Sequence, residues 1–135
     1  MSKLIEVVNT TAQTVAAGAT ANLGAIDRKY QGCPYKFTGT AIEIEAPGYY
    51  YISLTANLTA QAVGALDLSI YNNGTLIPGA YAQGTTAAIG DLITLTISSK
   101  ILRVFCGQPA IITLANTGTN GYTIDALNLS IQKVA

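Results

Sequence analysis

The stretch Ala41-Ile42-Glu43-Ile44-Glu45-Ala46-Pro47-Gly48-Tyr49-Tyr50-Tyr51-Ile52-Ser53 decides the fold. Its first residues alternate apolar and charged side chains, the period of a strand with two unlike faces. Ala46-Pro47-Gly48 ends that strand and starts the next, because Pro fixes φ and Gly relieves it. Alternation then resumes from Tyr51 through Leu58, with Ile52, Leu54, Ala56 and Leu58 sharing one face.

The same period recurs on either side. Leu66, Leu68 and Ile70 alternate with Asp67, Ser69 and Tyr71; Ile93, Leu95 and Ile97 alternate with Thr94, Thr96 and Ser98. Near the end, Leu127, Leu129 and Ile131 alternate with Ala126, Asn128, Ser130 and Gln132. Turn signals punctuate these runs: Asn72-Asn73-Gly74, Pro78-Gly79, Ile89-Gly90-Asp91, Gly107-Gln108-Pro109 and Thr117 to Gly121. Asn and Gly tolerate positive φ, so Asn72-Asn73-Gly74 reads as a hairpin turn. The pattern predicts an all-β fold, an antiparallel two-sheet jelly-roll sandwich of about eight to ten strands. The Ala-rich, uncharged stretch from Thr11 to Ala25 reads as loop and short strand. No linker or internal repeat stands out, so the expectation is one jelly-roll domain over 1–135. Within it, 1–29 forms an N-terminal strand and extended segment, a candidate attachment arm.

Composition narrows the function. Seven basic and seven acidic residues in 135 give zero net charge. Charged residues are only 10% of the chain, half of it is hydrophobic, and mean hydropathy is +0.37. A soluble monomer of that composition is prone to associate, which points to apolar surface buried between subunits. The absence of His excludes a Ser-His-Asp triad, a Cys-His pair and His-ligated zinc. The few, dispersed basic residues do not make a nucleic-acid footprint. No apolar run reaches the about 18 residues that a membrane-spanning helix needs. Glu6 interrupts any leader-like apolar stretch, so the expectation is an intracellular product starting at its own Met1.

The segment from Ala41 to Ser53 resembles the opening of the complement-globular-head and tumour-necrosis-factor-like jelly roll. There too, an alternating strand ends in Pro-Gly and an aromatic-rich strand follows. Leu66 to Asn73, then Gly74-Thr75-Leu76-Ile77-Pro78-Gly79, is similar to the next strand and its short Asn-Gly turn. Gly107 to Asn116 and Thr123 to Val134 resemble the last two strands. The resemblance is strongest to the bacterial and bacteriophage branch, found on spore-surface proteins and on virion decoration or head-fibre proteins. It implies a homotrimer, with the inner sheets of three protomers packed around an axis. The chain lacks that family's collagen stalk, and no signal peptide is read in it, which argues against extracellular signalling.

Several residues are candidates for contacts. Tyr49-Tyr50-Tyr51-Ile52 carries bulk on both strand faces. One face can fill the core and the other suits an interface. Tyr49 and Tyr51, with Tyr71, are therefore candidate interface residues. Asp27-Arg28-Lys29-Tyr30 is the one charged cluster, read as an exposed loop that could touch a partner such as a capsid. Tyr71, Tyr81 and Tyr122 lie near Gly-rich loops and could stack on a sugar or serve the core. Glu43 and Glu45 fall on one strand face, where solvated or interface charges outweigh acid/base work or a cation at a trimer axis. Cys33 and Cys106 read first as structural thiols, with Cys106 a buried strand residue. A disulfide is the alternative, and the apparent cytoplasmic origin argues against it. Asn9, Asn57, Asn73 and Asn128 match the glycosylation pattern by chance in an Asn- and Thr-rich chain.

No catalytic residue, cofactor or metal site is expected. The sequence predicts a non-enzymatic structural virion protein made in the host cytoplasm: a trimeric capsid decoration or head-fibre protein of a bacteriophage. The alternative is a carbohydrate-binding recognition head on a bacterial or phage surface, with a glycan as partner. Neither nucleic acid nor membrane insertion enters either reading.

Overall fold

Two-faced strands need a second layer to cover their apolar sides, and the chain supplies it by folding into two antiparallel sheets. The computed structural model describes residues 3–30 and 34–135, apart from the Ser99 side chain. Eleven strands form among the described residues. They are β1 (Leu4–Asn9), β2 (Gln13–Val15), β3 (Ala25–Tyr30), β4 (Tyr35–Phe37), β5 (Ala41–Ile44), β6 (Gly48–Ala60), β7 (Gly64–Asn72), β8 (Thr75–Thr86), β9 (Leu92–Val104), β10 (Ala110–Ala115) and β11 (Tyr122–Lys133). The first sheet runs β3-β1-β11-β6-β9, with β2 also paired to β11. The second runs β4-β5-β10-β7-β8. The two-sheet jelly-roll sandwich read from the sequence is the observed fold. The excess over about eight to ten strands is short, since β2 and β4 have three residues each.

The core lies between the sheets. Ile52, Leu54, Ala56 and Leu58 of β6 face Leu66, Leu68 and Ile70 of β7, with Leu129 and Ile131 of β11. All are buried, as the alternation requires. Tyr35 and Tyr50 meet edge-to-face at 6.0 Å and 74°, an arrangement that favours aromatic pairs. Their hydroxyls donate to the Lys3 and Ala46 carbonyls, each at 2.7 Å. Tyr122 is fully buried and its hydroxyl donates to the Asp67 carbonyl at 2.8 Å, tying the first sheet to the second.

These phenols carry a pH dependence. Burial raises the Tyr35 and Tyr122 hydroxyls above their ordinary range, helped by the neighbouring Tyr50 and Asp67 respectively. Burial also raises Tyr50. The fold therefore keeps these groups protonated where the unfolded chain ionises, near pH 10. Stability is fully present below that pH and falls as pH rises above it. The urea midpoint is expected to be lower at about pH 11 than at about pH 8, with delayed tyrosinate absorbance. An unchanged midpoint would contradict the burial of these phenols.

The hairpin between β7 and β8 closes as read from Asn72-Asn73-Gly74. Asn72 pairs with Thr75, and Asn73 and Gly74 have φ of 52° and 79°. Positive φ at both central residues defines the primed turn that matches strand twist. Asn73→Val is expected to cost about 1–2 kcal/mol, because a β-branched residue resists that region. Asn73→Gly should cost less than half as much, as read from denaturant midpoints.

Two sequence expectations change. Asp27-Arg28-Lys29 lies in strand β3, not in a loop. Among the described residues β3 pairs with β1 alone, and its exposed charges suit a sheet edge. Cys106 is exposed in a turn, not buried in a strand. β9 ends at Val104, and the chain reverses there, with the Gln108 N–H donating to the Phe105 carbonyl at 3.1 Å. Cys33 lies outside the described residues, and its pairing with it.

Candidate interaction face

β6 sends Tyr50, Ile52 and Leu54 inward, so Tyr49, Tyr51 and Ser53 point away from the second sheet. Neighbouring strands extend that outer face in register. One row crosses the whole sheet: Tyr30 pairs with Leu4, Leu4 with Gln132, Gln132 with Tyr51, and Tyr51 with Ile101. Tyr49 pairs with Arg103 in the adjoining row. The Arg103 guanidinium lies over the Phe105 ring at 4.5 Å and over the Tyr49 ring at 5.6 Å. Such stacking holds a cation and two rings in one fixed array.

One end of the face is therefore aromatic and aliphatic. Tyr30, Tyr49, Tyr51, Ile101 and Phe105 are each 40–52% exposed there. That exposure is large for side chains of this size, and contiguous patches of this kind mark interaction sites. The middle of the face is small and polar: Ser53, Ser130, Thr55 and Asn128. The Asn128 amide donates to Glu6 at 3.1 Å. At the far end, the Thr59 hydroxyl donates to Asp125 at 2.5 Å and the Thr94 hydroxyl to Asn57 at 3.0 Å.

The structure joins some sequence candidates and separates others. Tyr49 and Tyr51 share the apolar end of this face. Arg28 flanks it on β3, in register with Glu6, while Asp27 sits at the bulge in that pairing and Lys29 is in register with Ile5. Tyr71 belongs to β7 in the other sheet, paired with Thr113 and Leu76, so it does not join the group. Glu43 is half-buried on β5 opposite Lys36, and Glu45 is exposed just beyond that strand. Among the described residues, no three His, Cys, Asp or Glu side chains come together as a metal group. Among them, too, no helix is long and apolar enough to cross a membrane.

Ile101, Arg103 and Phe105 are central here and were not singled out from the sequence. Upstream, Ile93, Leu95 and Ile97 turn inward, so Ile101 by parity should too. A bulge intervenes. β6 advances two residues from Ile52 to Leu54 while β9 advances three, from Lys100 to Ile97. The extra residue flips every later side chain to the opposite face.

No protein-family model matches the chain, and no curated protein matches it by sequence. Solved structures do. Eiger TNF from S. frugiperda superposes with a TM-score of 0.75 at 11% identity, over 100% of this chain and 92% of that one. Murine APRIL gives 0.68 at 8% identity, over 99% and 100%. The PRD1 vertex protein P5 gives 0.55 at 17% identity, over 98% and 97%. At these identities the likeness establishes the TNF-like jelly-roll fold.

Proposed function

We infer that the chain is a non-enzymatic structural protein of a bacteriophage virion, a homotrimer of the capsid decoration or head-fibre type. The uncovered aromatic end of the first sheet carries this inference. A chain of zero net charge with so much exposed Tyr, Phe and Ile has little to keep it apart in solution. Its occupant is further copies of the same chain, in the three-fold arrangement that the jelly-roll resemblance implies. The two sides of the face are unlike, with Arg103 on β9 and Glu6 on β1, which suits a head-to-tail ring. The likeness to a phage vertex protein supports a place on the virion.

Attachment falls to the charged edge strand. β1 is paired on both sides, and the charges carried by the exposed edge strand β3, Asp27, Arg28 and Lys29, are the capsid contact we assign. Mass spectrometry of particles purified from the culture that makes the chain tests the reading. The chain is expected at a fixed, integral ratio to the major capsid protein. Its presence only in the particle-free supernatant would overturn the virion assignment.

A second reading, a carbohydrate-binding head, is favoured by one observation on the opposite sheet: a buried carboxylate beside an exposed Tyr ring.

A further inference from the structure

We propose that the outer face of the second sheet holds a binding site for a neutral saccharide, built from the Asp67 carboxylate, the Tyr81 ring and the Gln83 amide. The proposal deepens the second reading and does not depend on trimer assembly.

Asp67 is the one buried charged side chain among the described residues, at 7% exposure. Burying a carboxylate costs several kcal/mol unless it is paired. Here it is held only by neutral donors. The Tyr81 hydroxyl and the Gln83 amide (2.7 Å) both donate to Oδ1. Oδ2 receives no donor among the described residues and lies against the backbone of Gly118. A Cβ at Gly118 would overlap Oδ2, so glycine there lets the loop backbone lie beside the carboxylate without displacing it. With Oδ1 taken by two donors and Oδ2 left without one, the carboxylate is placed to accept from a bound hydroxyl.

The surroundings are rigid. The β10–β11 loop is pinned by Thr117 to Ser69 at 3.0 Å, by the Asn116 amide to the Asn120 carbonyl at 2.8 Å, and by the Asn120 amide to the Ala65 carbonyl at 2.8 Å. A site fixed in this way loses little entropy on binding. The carboxylate repels anions. A lone carboxylate falls short of the six to eight oxygens of a calcium site, about the number it needs. Among uncharged ligands, the fit is to one that donates hydrogen bonds and offers a flat apolar side. Sugar hydroxyls satisfy the first condition at Oδ2. The C–H face of a pyranose satisfies the second against the Tyr81 ring, which is 45% exposed. The carboxylate hydrogen bond also raises the Tyr81 hydroxyl above its ordinary range, so that donor stays protonated.

Saturation-transfer NMR with glucose, galactose and N-acetylglucosamine, and with glucuronic acid as the anionic control, tests the site. At least one neutral sugar is expected to bind with a dissociation constant of about 1 mM. Glucuronic acid should bind at least about tenfold more weakly. Tyr81→Ala, at an exposed ring, should lower affinity at least about tenfold, and Gly118→Ala should do the same by displacing the Asp67 carboxylate. Light scattering on each variant separates this result from assembly, since the site lies on the sheet that assembly does not use. No transfer from any neutral sugar would overturn the proposal, as would unchanged binding in Tyr81→Ala or equal binding of glucuronic acid.

Discussion

Tyr51→Glu is expected to convert the assembled protein to single protomers with the jelly roll intact. Tyr51 lies in the row that crosses the whole first sheet, between Gln132 and Ile101, and is 40% exposed in the isolated chain. In the proposed trimer its ring is covered, and a carboxylate in its place would be stripped of water without a partner. An uncompensated buried charge costs on the order of 3–5 kcal/mol. At 1.4 kcal/mol per tenfold, that weakens association by more than about a hundredfold. Ile111→Glu is the control. Ile111 is similarly exposed but sits on the second sheet, so its variant should keep the assembled mass. If Tyr51→Glu and Ile111→Glu behave alike in light scattering, the face is misassigned.

Tyr122→Ala is expected to be the most damaging single truncation for the fold, at about 3–5 kcal/mol. The ring is fully buried where β11 begins, and its hydroxyl is a direct hydrogen bond from the first sheet to the second. Truncation leaves a ring-sized cavity, and it strands the Asp67 carbonyl in the interior. Against a total stability of about 5–15 kcal/mol, such a loss is large. Tyr122→Phe keeps the ring and loses only the hydrogen bond, for about 1–3 kcal/mol. Urea denaturation at one fixed protein concentration separates the two, since assembly shifts apparent stability. Equal midpoints for wild type and Tyr122→Ala would contradict the packing described.

The central strands were legible because burial and alternation agree over long runs. From Ile52 to Leu58, and from Leu127 to Ile131, the apolar positions read from the sequence are the core positions. The Asn73-Gly74 turn was legible because its chemistry is local. What escaped was set by single extra residues. The bulge in β9 hid Ile101 and Arg103, and a second, at Asp125 in β11, breaks the parity between Ile124 and Leu127. A third, at Asp27, turns an apparent loop into the irregular edge strand β3. Such insertions leave no mark in a period-two pattern beyond a change of phase. Cys106 was misplaced for a related reason: inward parity continues past Val104, but the chain turns before it can be used. Asp67 looked like an ordinary outward polar residue of β7. Its burial comes from the β10–β11 loop lying across it, a contact between residues 48 or more apart in sequence that alternation cannot express.

Light scattering behind a sizing column measures the central claim most directly. A mass near three times 14.0 kDa, unchanged over a tenfold dilution, is the expected result. A mass near 14.0 kDa would contradict it and leave the aromatic end of the first sheet without the partner assigned to it here.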